Sequence, residues 1–106
     1  MLLYTTTLRD ESRSAEHEDM KRRMHALAES VPGFLGEEEY RNEADGSLLG
    51  ILRFENEAAL AAWRDHPDHA AVHNLGVDSV YASYTVEVFE RVRDASFSWE
   101  PTAKGD

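Results

Sequence analysis

The sequence predicts an α+β domain with the element order βαββαβ, an antiparallel sheet carrying its helices on one face. Three observations lead there: two stretches repeat apolar residues at helical spacing, four others are rich in strand-forming residues, and an Asp45-Gly46 hairpin signal falls between the second and third of these. At 106 residues the chain can build one hydrophobic core but not two.

Residues 2–9, LLYTTTLR, are β-branched and aromatic and run into the polar RDESRS, so they read as a first strand and a turn. His17, Met20, Met24, Leu27, Ala28 and Val31 then share one helical stripe, with Glu16, Glu18, Asp19, Arg22 and Arg23 left to water. Ser12 or Ser14 is the expected cap, and Pro32-Gly33 the stop. Phe34 to Asn42 and Ser47 to Phe54 form the expected hairpin, with the Glu37-Glu38-Glu39 run read as solvated surface.

Asn56 suits an N-cap and Glu57 the positive end of a helix dipole, which starts a second helix with Ala59, Leu60 and Trp63 as its buried edge. Proline disfavours helical backbone in the residue before it, so His66 is expected to break this helix and Pro67 to begin a short new one ending near Gly76. Ser79 to Val92 reads as a long last strand, with Val80, Ala82, Tyr84, Val86 and Val88 on one face and Tyr81, Ser83, Thr85 and Phe89 on the other.

This is the ferredoxin-like arrangement. The third strand, LLGILRF, is apolar on both faces apart from Arg53, and helices on one side leave the other bare. Two copies placed sheet to sheet would cover that face, so a two-fold homodimer closed as an α+β barrel is expected. Residues 1–94 are assigned to the domain and 95–106 to a C-terminal tail, in which Phe97 and Trp99 are candidates for gripping a neighbour.

Composition narrows the function classes. Eleven Lys and Arg face 21 Asp and Glu, for a formal net charge of -10, which repels nucleic-acid backbones and anionic membrane surfaces. The chain has no cysteine, hence no disulfide or thiolate chemistry. The N-terminus lacks a signal-peptide pattern and no apolar run is long enough to span a bilayer, so a soluble, cytoplasmic protein is expected.

WRDHPDHAAVHNLG, residues 63–76, gathers three of the five histidines beside one of the two tryptophans. His69 and His73, four apart, share a face of the short helix. They lack a third ligand and the glutamate of an HEXXH helix, so no metal site is expected; capping and hydrogen bonding to backbone is the competing role, which suits His66 best. Trp63 reads equally as a core residue and as a pocket wall. The break at Pro67 would let the two histidines turn toward a pocket that Trp63 borders.

VPGFLG at residues 31–36, Asp45-Gly46, FENEAALAAWRDHPDHAAVHNLG and YASYTVEVFERV, in this order and spacing, resemble the antibiotic biosynthesis monooxygenase domains over residues 2–93. That family consists of dimeric α+β barrels in the superfamily of the haem-degrading monooxygenases, and the resemblance implies an oxygenase. In the leading reading it needs no cofactor and takes a small phenolic or quinol-type aromatic together with dioxygen. The alternatives are haem binding or degradation and a non-catalytic small-ligand domain. In haem-degrading relatives a tryptophan and an axial histidine have the spacing of Trp63 and His73, but this first strand offers Thr5, Thr6 and Thr7 where those relatives use asparagine.

For a cofactor-free oxygenase the substrate must first become an electron-rich phenolate or enolate, which calls for a base near neutral pKa and a donor to hold the anion. His73 or His69 suits the first task. Thr6 or Arg53 could supply the second, although Arg53 is read first as an ion-pair partner of a glutamate such as Glu39. Phe34, Trp63, Tyr81 and Tyr84 are candidate aromatic walls.

Overall fold

The computed structural model describes residues 1–101, so the last part of the expected tail, 102–106, lies outside the described residues. Strands β1 (Leu2–Leu8), β2 (Phe34–Arg41), β3 (Leu48–Phe54) and β4 (Tyr81–Val88) form one antiparallel sheet of order β2-β3-β1-β4. Helices α1 (Ser14–Glu29), α2 (Glu57–Arg64) and α3 (Pro67–Leu75) accompany it. The fold is ferredoxin-like, as the pattern of elements predicts, with the second helical region divided in two.

Local chemistry accounts for most boundaries. The Asn56 side chain accepts from Ala59 N–H at 2.9 Å to open α2. His66 is extended, and its Nδ1 accepts from Asp68 N–H at 3.0 Å, so the break before Pro67 doubles as the cap of α3. Neither expected serine caps the first helical region. Asp10 does, accepting from Ser12 N–H at 2.8 Å ahead of a short 3₁₀ turn that leads into α1.

The last strand is shorter than its composition suggests. Gly76–Val80 form a wide π-type turn instead of extended chain, and past Val88 the neighbouring β1 runs out. Phe89 is the final paired residue: its N–H reaches the Met1 carbonyl at 2.7 Å, and its carbonyl accepts from the terminal ammonium at 2.8 Å. From residue 89 to 101 there is no regular structure, and Val92, Phe97 and Trp99 are exposed.

Leu2, Leu52, Phe54, Leu60 and Trp63 pack with Ala28 and Ala59 between the sheet and the helices. Leu52 is 1% exposed at the centre of this core. Leu52→Ala is expected to cost about 2–5 kcal/mol, the range for emptying a buried leucine site, read as a lower urea midpoint at unchanged slope. The opposite face of the sheet presents Leu3, Leu49, Ile51 and Tyr40 by alternation, and no helix of the described residues covers it.

Candidate functional site

Between the sheet and the helices lies a largely apolar cavity of about 500 Å³. Leu2, Leu52, Met20, Met24 and Trp63 line it, and its polar walls include Thr6, His17, His69, His73, Tyr81 and Tyr84. α2 supplies Trp63, α3 both histidines, β1 Thr6 and β4 the two tyrosines. Phe34 and Arg53 do not line it. Phe34 packs in the core with its ring 5.4 Å from that of Phe54. Arg53 lies on the opposite face of the sheet and pairs with Glu38, not with Glu39.

Trp63 serves as core and wall at once. It is buried, and its indole N–H donates to the Met24 carbonyl at 3.0 Å, tying α2 to α1. The indole also meets the His69 ring in a T-shaped contact, with the ring centroids 4.3 Å apart. His69 and His73 stack nearly parallel at 6.4 Å, and His73 Nε2 lies 3.4 Å from the Tyr84 hydroxyl. Burial lowers the His69 pKa below the ordinary imidazole value, and the nearby His73 adds to this. His69 is therefore neutral at pH 7 and able to accept a proton.

The tyrosines are brought together by an irregularity. Strand alternation puts Tyr81 and Tyr84 on opposite faces, but the register of β1 against β4 shifts between Thr7 and Leu8. Thr6 pairs with Tyr84 and Leu8 with Tyr81, so both rings turn to the helix side. Gly76 leaves room for the Tyr81 ring, because a Cβ there would lie 2.7 Å from it. Arg9 holds the same turn through the carbonyls of Val77 at 2.8 Å and Tyr81 at 3.2 Å.

Thr6 Oγ1 is a buried hydroxyl without a hydrogen-bond partner among the described residues, in the wall of the cavity. An unpaired buried hydroxyl costs about 1–3 kcal/mol, so a polar atom entering the cavity would relieve that cost.

The acidic run is not simply solvated surface. Glu38 points to the bare face, whereas Glu37 and Glu39 point toward the helices, with only 8% and 15% of their side chains exposed. Glu37 accepts from His25 Nδ1 at 2.7 Å and lies 3.4 Å from the Tyr4 hydroxyl; burial, reinforced by the charge of Glu37, pushes the Tyr4 pKa upward. Glu39 meets His17 Nε2 at 3.0 Å and Lys21 Nζ at 3.3 Å. His17, itself buried, joins Tyr81 Oη at 2.7 Å through its other nitrogen. The signal for this network was present in the sequence as a histidine on the apolar stripe of α1 and two glutamates of equal strand parity.

His17, Glu18 and Glu39 place potential ligand atoms within 4.8 Å of one another. Lys21 already lies 3.2 Å from Glu18 and 3.3 Å from Glu39, and both His17 nitrogens are engaged, which makes the group a satisfied ion-pair cluster. The residues fit haem poorly, since the His73 Nε2 that would face iron is directed at Tyr84.

Fold and site together define a ferredoxin-like α+β domain with an apolar, imidazole-bearing cavity. The chain belongs to the antibiotic biosynthesis monooxygenase family, whose model matches residues 2–75. YqjZ of Bacillus subtilis, an uncharacterized protein, is 39% identical over 75 residues, which make up 71% of this chain and 65% of that relative, just under two thirds of its length. Rv0793 of Mycobacterium tuberculosis superposes with a TM-score of 0.75 at 16% identity, covering 90% of this chain and 96% of that one. A variant of SnoaB from Streptomyces nogalater, described as a cofactor-independent oxygenase, gives 0.74 at 17% identity, covering 88% and 92%. Both structures are similar in fold. Among the described residues no helix is long and apolar enough to cross a membrane.

Proposed function

We propose that this protein is a cofactor-independent monooxygenase of a phenolic or quinol-type aromatic, working as a homodimer. The observation that carries this reading is a single apolar cavity with the buried, unpartnered Thr6 hydroxyl and the imidazoles of His69 and His73 in its walls. Family membership and the likeness to SnoaB support it.

Dioxygen reacts slowly with closed-shell organic molecules, and ionising a phenol or quinol makes the ring electron-rich enough to give it an electron. His69 or His73 takes the proton. Thr6 donates its hydroxyl to the resulting oxyanion, while Trp63, Tyr81 and Tyr84 supply aromatic walls for the ring. Oxygen uptake with a panel of anthrone-like and quinol substrates tests the reading. Consumption of oxygen by the metal-free, haem-free protein is expected, and none with any substrate would overturn it.

Thr6→Val tests the donor separately. Removing an orphaned hydroxyl is expected to leave the ligand-free protein as stable or slightly more so in urea. The same change should weaken anthrone binding about tenfold in calorimetry, the worth of one hydrogen bond of roughly 1.4 kcal/mol.

A further inference from the structure

His17 lines two cavities. One is the apolar cavity beside Trp63; the other, of about 210 Å³, is polar and is lined by Ser14, Glu18, Glu39 and Arg41 among others. Tyr81 Oη, the His17 ring and the Glu39 carboxylate link them through contacts of 2.7 and 3.0 Å, and Lys21, which also lines the first cavity, reaches Glu39 at 3.3 Å. We propose that Tyr81, His17 and Glu39 form a proton relay between the two cavities, a second acceptor beside His69 and His73 that takes the proton of a phenolic hydroxyl reaching Tyr81. This rests on the reading of the apolar cavity as a site for phenolic ligands.

The direction of the hydrogen bonds follows from charge. Burial raises the Glu39 pKa, but the hydrogen bond from His17 and the ammonium of Lys21 outweigh it and hold the carboxyl below its usual range. An ionised Glu39 can only accept, so His17 donates to it from Nε2, and in the neutral imidazole Nδ1 is then the acceptor for the Tyr81 hydroxyl. Burial, with the charge of Glu39, pushes the Tyr81 pKa up to about 12, so the phenol keeps its proton at rest. Its oxygen lone pairs remain able to accept from a ligand.

In the transfer, the ligand O–H bond breaks and its proton joins Tyr81 Oη, while the original Tyr81 proton moves to His17 Nδ1. The products are a ligand phenolate and an imidazolium beside the Glu39 carboxylate, with no change in oxidation state. The imidazolium then releases its Nε2 proton by way of Glu39 into the polar cavity. The other charged groups around the relay are Lys21 and Glu18 from α1 and Arg41 from β2, and Tyr4 faces Tyr81 from β1. His17 and Glu39 act through Tyr81 and are positioning residues in this scheme.

The probe is 4-nitrophenol, whose phenolate is yellow and whose neutral form is not. Absorbance titration of the bound probe gives affinity and ionised fraction separately. Tyr81→Phe keeps the ring and removes the link, while Glu39→Gln keeps an acceptor for Nε2–H and removes the charge that stabilises the imidazolium. Each is expected to lower the bound phenolate-to-phenol ratio about tenfold, one pKa unit; Glu39→Gln does so at similar affinity, whereas Tyr81→Phe also weakens binding, because it removes the hydroxyl that meets the ligand. An unchanged ratio in both variants, with the ratio falling instead in His69→Ala/His73→Ala, would overturn the relay and leave the proposed function standing. Failure of the wild-type protein to bind the probe would overturn the phenol-site reading as well.

Discussion

Replacing both His69 and His73 by alanine is expected to lower oxygen uptake on a responsive anthrone or quinol by about 10²–10⁴-fold, the usual contribution of a positioned base. The substitutions leave the core intact, because His69 and His73 are only half-buried and Trp63 keeps its bond to the Met24 carbonyl. Far-UV circular dichroism should therefore be unchanged. Unaltered turnover in the double variant would remove both imidazoles from the chemistry.

The pH profile sharpens this assignment. A base works when unprotonated, and burial together with His73 lowers the His69 pKa, so uptake should fall only on acidification below the ordinary imidazole range. The folded state binds this proton less readily than the unfolded chain does. Stability is therefore complete above the unfolded pKa and is lost as pH falls through the folded one, and His69→Ala should flatten that loss. A rate profile whose acid limb lies above the ordinary imidazole pKa would not fit His69.

The second large effect concerns assembly. Leu49 sits on the central strand β3, on the face that Leu3, Ile51 and Tyr40 share and no helix covers. In a two-fold interface Leu49→Arg introduces one charge per copy, each costing on the order of 3–5 kcal/mol if buried without a partner. Sedimentation velocity should show wild-type protein at twice the chain mass of 12.0 kDa and the variant at that mass. A wild-type monomer would overturn the homodimer.

Several site features were legible because they are local. Asn56 caps α2 through a residue three positions on, and Pro67 forces His66 out of the helix whatever else the chain does. The same break sets α3 so that His69 meets the indole of Trp63. Helical spacing likewise put His17 on the apolar stripe of α1, although its partners were not visible.

The remainder depended on residues far apart in the chain. Tyr81 and Tyr84 share a face only because the β1–β4 register slips by one residue, and no alternation rule applied to β4 alone reveals a slip against a strand some 75 positions earlier. Glu39 is an inward carboxylate because α1 brings His17 and Lys21 over it, and Arg53 pairs with Glu38 because both sit on the other face. The sequence by itself determined the order of elements, the caps and the helix break, since these follow from short-range sterics and hydrogen bonding. Only the tertiary structure decided which polar groups share the cavity, because burial, pairing register and charge partners exist once distant segments have met.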